Sequence, residues 1–140
     1  MVALGGNALA PKGEAGTITQ QFARTRESLD GIMNFVNLNY NICITHGNGP
    51  QVGDELLRMD LTHEQVPPQP LGVCVAGTQG TIGYMIQQSL QNKLREVKMD
   101  REVVTLVTQV RVDEADPAIT KPTKFIGHTY AKEQACLLYT

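Results

Sequence analysis

The sequence predicts an α/β fold, an open and mostly parallel sheet with helices on both faces. Short hydrophobic segments alternate along the chain with longer segments whose apolar residues recur every three or four positions. This alternation is typical of parallel sheets, because each parallel strand needs a long crossover connection, usually a helix. Glycine and asparagine directly follow the first two hydrophobic segments and mark the ends of two strands. The expected order is strand, helix, strand, helix, helix, strand.

Length and composition are those of one globular domain. The chain has 140 residues, of which 41% are hydrophobic and 19% charged, and its formal net charge is -2. The negative charge and the absence of tryptophan argue against a nucleic-acid partner. No apolar run is long enough to cross a bilayer, and the residues after Met1 lack a basic and apolar leader. We therefore expect no membrane contact and a cytoplasmic protein.

The first half of the chain is assigned from apolar spacing and capping residues. Residues 2–4 predict the end of a buried strand, and the three-residue spacing of Thr17 and Gln20 is that of a capping box. A helix is therefore expected over residues 19–38. Its apolar face consists of Phe22, Leu29, Ile32, Met33 and Val36. Residues 41–45 are β-branched and predict a second strand.

Pro50 fits the first position of the next helix, expected to end near residue 59. Residues 60–70 are rich in proline and predict a loop, and residues 73–76 are a brief apolar run. A long helix is expected to end near residue 98. Its apolar face consists of Ile82, Met85, Ile86, Leu90, Leu94 and Val97.

Residues 102–112 predict the third strand. Their first half is continuously apolar, as in a strand covered on both faces, whereas Gln109 and Arg111 alternate with valines in the second half. From residue 113 onward the chain carries prolines and charges and few core residues, which indicates an excursion from the sheet. Asp113 and Asp116 are better explained as turn residues of this excursion than as a carboxylate pair.

Two glycine and asparagine turns are the candidate functional feature. They are Gly5-Gly6-Asn7 and Gly47-Asn48-Gly49, each at the carboxyl end of a predicted strand. Ligands of open α/β sheets bind at those ends, where glycine permits positive φ and close approach, and backbone amides and a helix N-terminus attract an anion. Together the turns suit a phosphoryl group, although each turn alone is explained equally well as a structural turn. Neither matches the P-loop or dinucleotide fingerprint.

Several motifs, in order, resemble those of the carbamate kinases, members of the amino-acid-kinase superfamily. They are "VALGGNAL" at 2–9, "THGNGPQVG" at 45–53, "CVAGTQGTIGYM" at 74–85, "VVTLVTQVRVDEADPA" at 103–118 and "KPTKFIG" at 121–127. The resemblance implies reversible phosphoryl transfer between ATP and carbamate, giving ADP and carbamoyl phosphate, with Mg²⁺. It also implies an open αβα sandwich, a homodimer and, for many members, a place in arginine metabolism.

The resemblance also implies the site residues. The substrate and the transferring phosphoryl group would be bound by Gly5, Gly6, Asn7, Gly47, Asn48 and Gly49. A catalytic lysine from a protruding subdomain corresponds to Lys124, which by itself would be interpreted as a solvated loop lysine. No residue is assigned to a metal. The sequence departs from the family at Gly77, Phe125 and His128, which is expected to loosen a turn and the flap.

The family's chain continues well past residue 140. We therefore interpret residues 1–140 as the amino-terminal lobe, with residues 113–140 starting the protruding subdomain and with no nucleotide-binding lobe. ATP, ADP and Mg²⁺ are not expected to bind this chain tightly. Three hypotheses follow: a truncated carbamate kinase inactive alone, a non-catalytic anion-binding or dimerisation module, and a kinase for another small carboxylate.

The remaining reactive residues predict no further chemistry. Three histidines, at 46, 63 and 128, lack the spacing of metal ligands. Cys43 and Cys74 lie in apolar runs and are expected to be small buried residues. We assign no covalent chemistry. His46 is left open between a contact with the site and a purely structural role.

Overall fold

The computed structural model describes residues 1–11, 14–124 and 126, with Gly6 and Asn7 described through their backbone. The elements in chain order are β1 (Val2–Leu4), α1 (Gly6–Leu9), α2 (Ile18–Asn37), β2 (Ile44–His46), α3 (Gly49–Thr62), α4 (Leu71–Glu96) and a 3₁₀ turn (Pro117–Ile119). The α/β class and the first five predicted elements are therefore confirmed, with shifted bounds.

The sheet pairs β1 and β2 in parallel, with Val2 opposite Ile44 and Leu4 opposite His46. The ladder continues past the strand ends, since the Val2 N–H donates to the Cys43 oxygen at 2.9 Å and the Gly47 N–H donates to the Leu4 oxygen at 3.0 Å. Parallel pairing follows from the long crossover through α1 and α2. Both strands therefore end at the same edge of the sheet.

Helix α2 begins with the capping box that the sequence predicts. The Thr17 N–H donates to Gln20 Oε1 at 3.0 Å, and the Gln20 N–H donates to Thr17 Oγ1 at 3.3 Å. These two bonds satisfy amides that have no partner inside the helix. The helix starts and ends one residue earlier than predicted, at Ile18 and Asn37. Asn39 follows it in the left-handed region, with φ of 63°.

The core lies between α2, α4 and one face of the sheet. Its buried apolar residues are Leu9, Leu29, Ile32, Val36, Ile82, Met85, Ile86, Leu90 and Leu94. The predicted faces of both long helices are thus confirmed, except that Phe22 and Met33 are half-buried and Val97 is exposed. Burial of these side chains is the main favourable term for folding.

Helices α3 and α4 are both longer than predicted. Helix α3 reaches Thr62, and α4 starts at Leu71, directly after Pro70. Residues 73–76 are therefore the start of α4, and Gly77 lies inside this helix and not in a turn before it. Apolar side chains at 73–76 are compatible with either state, because a run of four residues is too short to show periodicity.

One face of the sheet is covered by the described helices. Val2, Leu4, Ile42 and Ile44 pack against the core, whereas the alternating Ala3, Cys43 and Thr45 are exposed. Side chains alternate between faces along a strand, so a single helical layer produces this pattern. The prediction of burial is confirmed for Cys74 and wrong for Cys43.

The prediction that residues 102–112 form a third strand of the sheet is wrong. Within the described residues, 102–112 pair with no other strand. Val104 and Leu106 are 76% and 77% exposed, so this stretch is not covered on both faces. Its backbone partners are side chains of α4 and not a neighbouring strand. Apolar, β-branched composition predicted extended backbone but could not show whether a pairing partner is present.

Two glutamines of α4 hold this segment. Gln91 accepts from the Val103 N–H at 3.1 Å and donates to the Arg101 oxygen at 3.0 Å. Gln79 accepts from the Thr108 N–H at 2.8 Å and donates to the Thr108 oxygen at 3.2 Å. Twelve helical residues span about 18 Å, and the five steps from Val103 to Thr108 span about 17 Å if extended. The segment therefore runs extended and antiparallel to α4.

After residue 112 the described chain is exposed. Asp113 Oδ1 accepts from the Ala115 N–H at 2.9 Å, and Asp116 Oδ1 accepts from the Ala118 N–H at 2.8 Å. Their interpretation as turn residues is confirmed. The assignment of residues 113–140 to a protruding subdomain stays a prediction, and residues 127–140 lie outside the described part.

Candidate anion site at the strand ends

The two glycine turns begin side by side. Leu4 and His46 are paired across the sheet, and the Gly47 N–H donates to the Leu4 oxygen at 3.0 Å. The Gly5 oxygen then accepts from the Ala8 N–H at 2.9 Å, which starts α1. The first turn thus leads into α1 and the second into α3, at the same carboxyl edge of the sheet.

The second turn presents free backbone donors at the start of α3. Val52 is the first residue of this turn whose N–H donates a helical hydrogen bond, to the Asn48 oxygen at 2.9 Å. Among the described residues, the amides of Asn48, Gly49 and Gln51 have no acceptor. They lie at the positive end of a 14-residue helix. Such an end attracts anions through its unpaired amides and through the helix dipole.

Asn48 is held from α4. Its Nδ2 donates to Thr78 Oγ1 at 2.9 Å, and this hydroxyl donates to the Val75 oxygen at 2.8 Å. Thr78 is 3% exposed, and the Asn48 side chain makes no capping bond to α3. One amide hydrogen of Asn48 therefore remains for a ligand. Sequence reasoning missed Thr78 as a support, although the threonine stands in the "GTQG" motif.

Positive φ is not what Gly5 and Gly49 contribute. Among the described residues, Gly16 is the glycine in the left-handed region, with φ of 66°. At both Gly5 and Gly49 an added Cβ would meet nothing within 4 Å. The conformational argument is thus wrong for these two positions. What glycine contributes here is open space beside the backbone, as close approach of a bulky anion requires.

The loop before α2 is tied down next to this site. Arg24 forms ion pairs with Glu14 and with Glu27, the latter at 2.8 Å, and the bond to Glu14 is the main reason that the pKa of Arg24 is raised above its usual value. Gln21 Nε2 donates to the Gly16 oxygen at 2.8 Å. These contacts anchor residues 14–16 to α2.

Gln51 adds a buried polar group that sequence reasoning missed. This side chain is 8% exposed, and its Nε2 donates to Gln21 Oε1 at 3.2 Å. Gln51 Oε1 has no hydrogen-bond partner among the described residues. A buried acceptor without a donor costs about 1–3 kcal/mol, so a ligand or water that donates here would be favoured. The signal was available, since the glutamine stands inside "HGNGPQVG".

Lys124 has no bond to either turn among the described residues. Its side chain is exposed and makes no hydrogen bond or ion pair with another described residue. Its catalytic role therefore stays a prediction. Phe125 and His128, the two departures in the flap, lie outside the described residues. His46 Nδ1 lies 3.3 Å from the Gly47 oxygen, beside the second turn.

Neither a metal centre nor a membrane span is found in the part of the chain that the structure describes. No group of three histidine, cysteine, aspartate or glutamate residues there could hold a metal ion. No helix there is both long and apolar enough for a membrane crossing.

Comparison with known sequences finds relatives but no matching protein-family model. The chain is 45% identical over 137 residues to the carbamate kinase of Pyrococcus horikoshii. The matched region covers 96% of this chain and 44% of the relative. Carbamate kinase 1 of Staphylococcus epidermidis is 43% identical, with 96% and 43% covered. The chain thus spans less than half the length of these relatives.

Solved structures agree with the sequence comparison. Carbamate kinase from Giardia lamblia bound to citric acid superposes with a TM-score of 0.89 at 37% identity, covering 98% of this chain and 44% of that one. The same enzyme bound to AMP-PNP superposes with a TM-score of 0.86. A protein from Aeropyrum pernix superposes with a TM-score of 0.87 at 34% identity. The predicted α/β fold class is therefore confirmed, although the described helices cover one face of the sheet and not both.

Proposed function

Because the chain is homologous over nearly all its length to the amino-terminal part of the carbamate kinases, we propose that it supplies the phosphoryl-binding half of a carbamate kinase-like phosphotransferase. The proposed reaction is the reversible transfer of a phosphoryl group between ATP and carbamate, giving ADP and carbamoyl phosphate. The observation that carries this proposal is the position of the two glycine turns, which start side by side at one edge of the sheet.

Backbone amides are the proposed source of charge stabilisation. A phosphoryl group in transfer carries negative charge on its equatorial oxygens, so the protein's task is to position and neutralise them. The free amides of Asn48, Gly49 and Gln51 and the positive end of α3 point to this role. They are fixed before the ligand arrives, because Thr78 holds Asn48 and the ladder holds Gly47. We assign Gly5, Gly6 and Asn7 to the opposite side of the same anion.

Lys124 is the proposed mobile cation. It follows an exposed segment, and in the proposed mechanism it closes over the anion during turnover. A flap that excludes water would protect carbamoyl phosphate and strengthen the electrostatic contacts within the site. Mg²⁺ would neutralise phosphate charge in this chemistry, and we assign none of the described residues to it.

The chain by itself is proposed to bind the phosphoryl substrate without turning it over. It spans 44% of the Pyrococcus horikoshii relative, and none of the described residues is assigned to adenine. The partial coverage of this relative also favours the alternative, a non-catalytic anion-binding or dimerisation module. A cytoplasmic homodimer that serves arginine metabolism is proposed only for the complete enzyme.

Calorimetry on matched glycine variants tests the anion site. Gly49 and Gly72 both lie in the first turn of a helix with open space at the Cβ position, but Gly72 lies on α4. Gly49→Val should weaken binding of carbamoyl phosphate at least about ten-fold by filling the approach to the amides, whereas Gly72→Val should not. Equal effects of the two substitutions, or no binding by the wild-type chain, would contradict the proposal.

Two further assays separate the remaining hypotheses. Formation of ATP from carbamoyl phosphate and ADP by the isolated chain would disprove that it is inactive alone. A panel that includes acetyl phosphate and inorganic phosphate tests substrate class. Tighter binding of another acyl phosphate than of carbamoyl phosphate would favour a kinase for a different carboxylate.

A further inference from the structure

The carbonyl group of Gly47 lies outside both regular elements that flank the second glycine turn. The Gly47 N–H donates to the Leu4 oxygen in the ladder, and the Asn48 oxygen accepts from the Val52 N–H in α3. Among the described residues, no backbone N–H donates to the Gly47 oxygen. Neither the sheet nor the helix therefore fixes the peptide group that joins Gly47 to Asn48.

In the part of the chain that the structure describes, one side chain bonds this carbonyl. His46 Nδ1 lies 3.3 Å from the Gly47 oxygen. A carbonyl oxygen only accepts, so this contact is a hydrogen bond in which Nδ1–H donates. The His46 side chain is half-buried and lies on the same face of the sheet as Ile44, because side chains alternate along a strand. The position of the ring is therefore set by β2 and not by the turn.

The bond from His46 determines where the next backbone amide points. In a trans peptide group the C=O and the N–H are coplanar and point in opposite directions. With its oxygen turned toward His46, this peptide group directs the Asn48 N–H away from the ring. That N–H is one of the free donors at the start of α3. The orientation of one donor of the anion site thus depends on a histidine.

The opposite orientation of this peptide group is open to both residues that it joins. Rotation by about half a turn changes ψ of Gly47 and φ of Asn48 together. It would carry Asn48 from its φ of -144° into the region of positive φ, which asparagine adopts more readily than most residues. Glycine tolerates the matching change in ψ. In the rotated state a carbonyl oxygen takes the place of the Asn48 N–H and repels an anion.

We propose that His46 is a positioning residue of the anion site, whose Nδ1–H holds the Gly47 oxygen and so keeps the Asn48 N–H directed at the phosphoryl group. The inference rests on the proposed function, because it requires an anion at the start of α3. Sequence reasoning left His46 open between a contact with the site and a purely structural role. In this proposal the histidine touches no substrate and acts through the backbone of the turn.

Helical hydrogen bonds orient the neighbouring donors without such support. The Asn48 oxygen accepts from the Val52 N–H inside α3, which fixes the following peptide group. The Gly5 oxygen accepts from the Ala8 N–H and fixes the next peptide group of the first turn in the same way. Loss of the His46 bond should therefore affect one donor and leave the rest of the site in place.

Calorimetry on three histidine variants tests the proposal. His46→Leu removes the ring donor and should weaken binding of carbamoyl phosphate at least about ten-fold, since one hydrogen bond to a charged group is lost. His46→Asn keeps an N–H near the position of Nδ1 and should restore binding to within about three-fold of the wild-type affinity. His63→Leu is the matched control, because His63 Nδ1 contacts the Asp60 oxygen at 2.7 Å at the far end of α3. This control should bind as the wild-type chain does.

Nuclear magnetic resonance on the wild-type chain supplies a second readout. At mildly alkaline pH the ring nitrogen shifts of His46 should be those of a protonated Nδ1. The amide signal of Asn48 should shift when carbamoyl phosphate is added, and it should respond less in His46→Leu. A purely structural role of the ring would lower stability and leave this response unchanged.

Three results would overturn the inference and leave the proposed function intact. They are a His46 ring protonated only at Nε2, equal affinities of His46→Leu and the wild-type chain, and equal losses of affinity in His46→Leu and His46→Asn. A wild-type chain that does not bind carbamoyl phosphate would overturn the proposed function and this inference together. The spectra of the wild-type chain decide the matter even if the His46 variants fail to fold.

Discussion

At the residue scale, the candidate site depends on side chains that never reach the ligand. Thr78 is buried in α4 and holds Asn48, and Gln21 holds Gln51. Both supports fix groups at the start of α3 before an anion binds. Preorganised donors stabilise developing charge more effectively than donors that must reorient.

Thr78→Val tests the support of Asn48. Valine keeps the shape of threonine but removes the hydroxyl, so the Asn48 amide loses its partner. We expect carbamoyl phosphate binding to weaken by about 1 kcal/mol, roughly five-fold. Calorimetry measures the change. Thr81→Val is the control, because within the described residues the Thr81 hydroxyl bonds the Gly77 oxygen on the exposed side of α4 and no group of the site. An unchanged affinity for Thr78→Val would refute the role.

At the element scale, α4 organises the molecule. It packs on α2 in the core, holds Asn48 through Thr78, and binds the backbone of residues 101–108 through two glutamines. Between those glutamines, Gly83 lies against Thr105 so closely that a Cβ would overlap the threonine methyl. A glycine inside a helix costs about 0.5–1 kcal/mol relative to alanine. Here it permits the close approach of the extended segment.

Two alanine substitutions in α4 should act in opposite directions. Gly83→Ala should destabilise the chain by about 1–3 kcal/mol because of overpacking against Thr105. Gly77→Ala has nothing within 4 Å of the new Cβ and should stabilise the chain by about 0.5–1 kcal/mol. Urea unfolding measures both.

Thr105→Ser should rescue Gly83→Ala, because it removes the methyl group that the new Cβ would meet. If Gly83→Ala stabilises the chain as much as Gly77→Ala does, residues 101–108 are not held against α4.

The capping box of α2 offers a second test at this scale. Thr17→Ala removes the oxygen that accepts from the Gln20 N–H, and should lower the free energy of unfolding by about 1 kcal/mol. Thr19→Ala, in the exposed first turn, should change it by less than about 0.5 kcal/mol. Urea midpoints separate the two. Equal losses would show that the cap is not formed in solution.

At the scale of the whole molecule, the described sheet has two strands and one covered face. A two-stranded sheet is marginal without further packing. The unpaired segment at residues 102–112 adds exposed apolar residues: Val104, Leu106, Val107, Val110 and Val112. Such a surface favours association.

The isolated 140-residue chain should therefore be marginally stable and prone to aggregate. We expect a broad thermal transition and strong binding of a hydrophobic dye. Leu106→Lys should lessen the aggregation because it places a charge within this exposed apolar segment. Calorimetry and light scattering measure these properties. A sharp, cooperative transition of a monomer at high temperature would contradict this prediction.

The sequence by itself determined the α/β class, the two long helices, the capping box and the placement of two glycine turns at strand ends. These features depend on short-range patterns: apolar spacing, the Thr17 and Gln20 pair, and glycines after hydrophobic runs. The motifs that resemble carbamate kinases were equally local. Only the register of β1 and β2 brought the two turns together, because pairing joins residues some forty positions apart.

Only the tertiary structure decided the state of residues 102–112 and the supports of the site. Their composition indicates a strand, but a strand needs a partner, and their described partners are Gln79, Gln91 and Gly83 on α4. Thr78 and Gln51 are ordinary polar residues in the sequence, and burial against distant elements gives them their roles. Such contacts depend on which faces meet in space, which no local pattern encodes.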